Sequence, residues 1–98
     1  ITEGALRARF KDSLESPTLL TPNQIYEVNI TMWETSNVFK EGHRIRLHIT
    51  SSNFPRFNRN LNSGKPLGEE TGGDMRVAIQ TIYHDRAHAS VIVLPVIP

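Results

Sequence analysis

Serine, histidine and aspartate are all present in this chain, and in the right geometry they make a nucleophilic hydrolase site. An α/β-type serine hydrolase presents its nucleophile on a Gly-x-Ser-x-Gly elbow between a strand and a helix. No such pentapeptide occurs in the 98 residues. Ser51, Ser52, Ser63 and Ser90 have other flanks and fall at strand ends or in loops, so no catalytic residue is expected. His84 and His88 stand four apart in His84-Asp85-Arg86-Ala87-His88, a spacing that shares a metal when it lies on a helix. Here the segment joins two expected strands and a third ligand is not evident, so a polar hairpin connection is the favoured reading. Glu69, Glu70 and Asp74 cluster among Gly68, Gly72 and Gly73. Oxygen ligands on a flexible loop suit calcium, but this spacing matches no calcium loop, and a solvated acidic loop is favoured. Neither a metal nor a cofactor is expected.

The basic residues point to contacts rather than chemistry. Eleven Lys and Arg stand against ten Asp and Glu, for a net charge of +1. That balance argues against nucleic acid or an anionic membrane as a partner. Eight of the eleven are Arg, whose planar fork favours fixed hydrogen-bonding roles. Arg44, Arg46, Arg56, Arg59 and Arg76 could form a basic surface, but stacking aromatics are few. Ion pairing within a sheet, or docking to a neighbouring domain, is the expectation. Trp33 ends an apolar run and is expected in a core or a domain interface.

The elements that must position these residues read as strands. Leu6, Ala8 and Phe10 alternate with Arg7, Arg9 and Lys11. Tyr26, Val28, Ile30 and Met32 alternate with Glu27, Asn29 and Thr31. Ile45, Leu47 and Ile49 alternate with Arg44, Arg46 and His48, and Val77, Ile79, Thr81 and Tyr83 with Arg76, Ala78 and Gln80. A period of two is the signature of half-buried strands. Ser90 to Val96 is nearly continuous in apolar residues, which predicts a central strand covered on both faces. The fold class is therefore all-β. Loops are expected at Ser16–Thr18 and Thr21–Asn23, one short helical turn over Asn37–Gly42, and a long connection over Asn53–Asp74. A loop of that length is usually functional, mobile or packed on something else.

Ninety-eight residues make one domain or less. A chain of this size buries roughly 60–65% of its unfolded surface when it folds alone. It has no cysteine, which excludes disulfides and thiolate sites and fits an intracellular home. No apolar run approaches the roughly 20 residues that span a bilayer, so no membrane partner is expected. The first residue is Ile1 rather than Met, which predicts a piece of something longer. Five strands with one apolar face each need a second sheet to cover them. Missing strands, or a second copy of the chain, are expected to supply it.

The segment Gly42-His43-Arg44-Ile45-Arg46-Leu47-His48-Ile49-Thr50-Ser51-Ser52-Asn53-Phe54-Pro55-Arg56-Phe57-Asn58-Arg59-Asn60 is distinctive. It resembles the C-terminal-domain signature of the CocE/NonD hydrolases, the cocaine esterase and Xaa-Pro dipeptidyl-peptidase family. Gly4 to Phe10, Leu20-Thr21-Pro22 with Tyr26-Glu27-Val28, and Thr81 to Asp85 with His88-Ala89-Ser90 and Leu94-Pro95-Val96 resemble other family segments in the same order. Two positions depart from it: Ala89 stands where Pro often precedes the Ser, and Asn23 where Gly is frequent. The resemblance implies a jelly-roll β-sandwich of the galactose-binding-like type, of which residues 1–98 are the later half. It also implies a partner α/β-hydrolase domain earlier in the parent chain, bearing a Ser-His-Asp triad that maps to no position here. Members of the family occur in more than one compartment, so the resemblance leaves the compartment open; the lean is toward a bacterial source and, from the missing cysteine, the cytoplasm.

Within this frame Phe54, Arg56, Phe57, Asn58, Arg59 and Asn60 are the candidate docking residues. Pro55 ends the ladder, the two rings can anchor the loop, and the Arg and Asn side chains supply donors for carbonyls and carboxylates. The loop is expected either to close one end of the sandwich or to dock on the catalytic domain and shape its substrate entrance. A rival reading is an independent carbohydrate- or ligand-binding module, whose aromatic shelf would fall to Trp33, Tyr26 and Tyr83.

Overall fold

Type II turns recur along the chain because the third residue of each tolerates a positive φ. In Thr21-Pro22-Asn23-Gln24, Pro22 fixes the second position and Asn23 takes φ 62, and the amide of Gln24 closes on the Thr21 carbonyl at 3.3 Å. Lys40-Glu41-Gly42-His43 repeats the pattern with Gly42 at φ 79 and a 3.1 Å closure. This turn occupies the end of the segment where a short helical turn was expected. Pro66-Leu67-Gly68-Glu69 is a third case, with Gly68 at φ 88 and a 3.3 Å closure.

The computed structural model describes all residues, 1–98. Two single turns of 3-10 helix are its regular elements, η1 over Ala8–Phe10 and η2 over Gly72–Asp74. η1 falls inside the first alternating run, where the amides of Phe10 and Lys11 bond back to Arg7 and Ala8 at 2.8 and 3.1 Å. None of the alternating runs is laddered to another within this chain. The chain divides into two compact units, Ile1–His48 and Ile49–Pro98.

In the first unit the residues around Thr2–Lys11, together with Tyr26 and Met32, are the half-covered part. Residues 2–4 run beside residues 30–33: the Trp33 amide donates to the Glu3 carbonyl at 2.9 Å, and the Thr2 hydroxyl bonds the Trp33 carbonyl. The backbones meet so closely at Gly4 that a Cβ there would strike the Thr31 carbonyl and lie 3.1 Å from Ile30 Cγ2. In the second unit the half-covered residues are Phe57, Leu61, Ser63, Gly64, Glu70 and Asp74.

No side chain of either unit is fully buried. The accessible surface is 9360 Å², whereas a folded monomer of this mass exposes about 5700 Å². Large apolar side chains stand open along the whole chain, among them several near the C-terminal end. Val77 and Ile79 are 98% and 93% exposed, and Val91 and Val93 78% and 84%, while the intervening Ile92 and Leu94 fall to 39% and 37%. Exposure thus alternates along residues 91–94, with Ile92 and Leu94 less open than Val91 and Val93.

Candidate functional site

Most of the side-chain bonding in the second unit gathers in the loop from Leu61 to Arg76. Its neck is closed by the Arg76 amide on the Leu61 carbonyl at 2.9 Å and by Asn62 Nδ2 on the Arg76 carbonyl at 3.1 Å. Asn62 reaches that position with φ 57, which Asn tolerates better than most residues. Such self-closed segments are Ω-loops, held by their own side chains.

Two carboxylates brace the interior. Asp74 Oδ1 takes the Lys65 ammonium at 2.6 Å, and its Oδ2 takes the Thr71 amide and hydroxyl at 2.8 and 3.0 Å. These bonds, Lys65 first, hold the Asp74 carboxyl down at about 2. The Ser63 hydroxyl bonds Glu70 and accepts the Lys65 amide at 3.1 Å. Asp74 and Glu70 are thus used as internal struts, and no group of three or more His, Asp or Glu side chains is placed to hold a metal ion. The Thr71-x-x-Asp74 spacing is a capping box, a pattern visible in the sequence that the acidic-loop reading passed over.

The candidate docking residues form a tight turn just before this loop. The Phe57 amide closes on the Asn53 carbonyl at 3.1 Å, around a cis Phe54-Pro55 bond. Phe57 is half covered, and Phe54 stands 70% exposed. Arg56 and Asn58 are engaged rather than free. Asn60 ties the turn to the Ω-loop, its Nδ2 donating to Asn62 Oδ1 at 3.0 Å and its Oδ1 accepting the Asn62 amide at 3.4 Å. Arg59 is exposed. The two rings therefore play unequal parts: Phe57 turns toward its own unit and Phe54 outward.

The segment carrying the two histidines is organised by Asp85. Its Oδ1 caps the amides of Ala87 and His88, each at 2.8 Å, and lies 3.4 Å from His88 Nδ1. The His88 amide, first of these contacts, draws the Asp85 carboxyl below its usual range. The His88 ring packs against Tyr83 at 5.2 Å between centroids, and the Ser90 hydroxyl bonds the Tyr83 carbonyl. Ser90 thus closes the loop rather than meeting His88, and the Tyr83 ring is occupied from one side.

In the first unit the Tyr26 hydroxyl accepts the Thr21 amide at 2.9 Å, and the Thr21 side chain, followed by this amide, lowers the phenol's pKa. Lys11 lies 5.1 Å above the Tyr26 ring and pairs with Asp12. Trp33 keeps 57% of its surface exposed while its backbone is held by Thr2 and Glu3.

Comparison with known proteins accords with the motif reading. A family model described as the X-Pro dipeptidyl-peptidase C-terminal non-catalytic domain matches residues 1–93. The cocaine esterase of Rhodococcus sp. (strain MB1 Bresler) is 43% identical over 97 residues, which cover 99% of this chain and 17% of that protein. The chain therefore spans about a sixth of the curated relative it matches. No solved structure gives a significant match. The chain belongs to the family of X-Pro dipeptidyl-peptidase C-terminal non-catalytic domains found in the CocE/NonD hydrolases.

Proposed function

We propose that this chain is a non-catalytic portion of a larger serine hydrolase of the acyl-ester or Xaa-Pro dipeptidyl-peptidase type, supporting its catalytic domain. In that setting residues 1–98 form the later half of a jelly-roll, galactose-binding-like sandwich, and the turn at Phe54–Asn60 docks on the catalytic domain beside the substrate entrance. The observation that carries the reading is the open apolar side chains of Val77 and Ile79 on one segment and of Val91 and Val93 on another. Soluble monomers rarely leave so much apolar surface open, and the matched relative holds several times this length of chain to cover it.

Labelling of the full-length polypeptide with a serine-directed organophosphonate, followed by peptide mapping, tests this. The label is expected on a serine outside residues 1–98, with no turnover of nitrophenyl esters or Xaa-Pro-nitroanilides by the isolated chain. Label on Ser51, Ser52, Ser63 or Ser90, with loss of turnover when that serine is replaced by alanine, contradicts it.

A further inference from the structure

The motif around Gly42 contains a cationic row that its own unit does not use. Arg44, Arg46 and His48 alternate with Ile45, Leu47 and Ile49, and all six are exposed. Elsewhere in the chain Lys11 and Lys65 pair with aspartates, Arg76 bonds the Met75 carbonyl, and Arg7, Arg9 and Arg56 are engaged. Lys40, Arg44 and Arg46 carry no such bond, and neither do Arg59 and Arg86; what sets the first three apart is that they fall within seven residues, with His43 interleaved and Glu41 the sole acidic neighbour.

The alternation of residues 44–49 predicts an extended run, on which residues two apart share a face with a repeat of about 6.6–6.8 Å. The complement of an Arg-x-Arg row is a strand with carboxylates at the same spacing, each facing one guanidinium across the pair. No two acidic residues of this chain stand two apart. Neither the chain itself nor a second copy of it can therefore supply that strand. With a net charge of +1, the chain also lacks the excess that would draw a nucleic acid.

We propose that Arg44, Arg46 and His48 form a docking row for an acidic strand, with Asp or Glu at alternate positions, from another part of the same polypeptide. This inference rests on the supporting-domain reading and adds the chemistry of the contact. The two hydrophobic flanks, Ile45 and Leu47, then turn away from the ion pairs, and the motif's arginines specify register.

The test uses the full-length polypeptide carrying Arg44→Lys and Arg46→Lys, which keeps the charge and adds reactive amines. A water-soluble carbodiimide joins an amine to a carboxylate only where the two are already paired. Crosslinks from positions 44 and 46 to Asp or Glu outside residues 1–98 of the same polypeptide are expected, reduced several-fold in 1 M salt, where screening acts within about 3 Å. Crosslinks confined to residues 1–98, crosslinks to a second molecule in an isotope-mixed sample, or no crosslink at either position overturn the inference. Hydrogen exchange over residues 77–97 in the same sample separates the two readings. Protection there without a crosslink sinks only the acidic strand, whereas no protection sinks the supporting-domain reading itself.

Discussion

The Tyr26 hydroxyl accepts the backbone amide of Thr21 at 2.9 Å, five residues upstream, across a turn built by Pro22 and Asn23. The spacing in Leu20-Thr21-Pro22-x-x-x-Tyr26 is thereby explained. Pro22 and Asn23 reverse the chain, and the phenol arm is long enough to reach the amide that the turn leaves unpaired. Tyr26→Phe is expected to lower the thermal midpoint of the full-length polypeptide, while Asn23→Gly, which keeps the positive φ, leaves it within about 1 kcal/mol of the parent. Differential scanning calorimetry of the two variants checks this.

Gly4 sits where no side chain fits. A Cβ would lie 3.0 Å from the Thr31 carbonyl carbon and closer still to its oxygen. Both obstacles in the backbone are fixed, so Gly4→Ala should cost about 1–3 kcal/mol, the usual range for overpacking. Denaturant unfolding of the full-length polypeptide measures it. An unchanged midpoint would mean that residues 2–4 do not lie beside residues 30–33.

Asp74 makes the Ω-loop acid-sensitive. Its carboxyl is held at about 2 by Lys65 and Thr71, against an unfolded value near 3.9. A depressed carboxyl stabilises the loop above the unfolded value and loses that contribution as pH falls toward the folded one. The loop is therefore expected to loosen between about pH 4 and pH 2. The Thr71 amide resonance should titrate with a midpoint near 2, and Asp74→Asn should abolish that titration. Lys65→Met should move it upward, because the ammonium is the largest cause of the shift.

Phe54 and Phe57 should behave differently. Phe57 is half covered by its own unit and Phe54 is 70% exposed. Phe57→Ala should lower the thermal midpoint. Phe54→Ala is expected to act on the parent enzyme's KM by a few-fold while leaving the midpoint within about 0.5 kcal/mol, the usual range for a surface change. Equal effects on stability would argue that the turn only closes the unit.

What could be read in the sequence divides by range. The turn at Pro22 was legible because its determinants are adjacent. The Gly42 turn fell inside the segment where a helical turn was expected, since a reversal with positive φ and a helical turn share their composition. A long connection was expected over Asn53–Asp74, but the side-chain bonds inside it were not legible. Ser63 with Glu70 and Lys65 with Asp74 are pairs seven and nine residues apart that no periodicity marks. The local clue, Thr71-x-x-Asp74, lay in plain view. The approach of Glu3 to Trp33 across thirty residues depends on the tertiary path alone. The alternating runs led to an expectation of half-buried strands, and Ser90 to Val96 to one covered on both faces; within this chain no strand forms, and Val77 and Val91 stand open at 98% and 78%.

Hydrogen exchange of residues 77–97, measured in the isolated chain and in the full-length polypeptide, tests the central claim most directly. Val77, Ile79, Val91 and Val93 each stand open in this chain. If other parts of the hydrolase cover them, the amides of residues 77–97 exchange rapidly in the isolated chain and at least a hundredfold more slowly in the full-length polypeptide. Equal exchange in the two would show that these side chains stay uncovered, and would contradict the account.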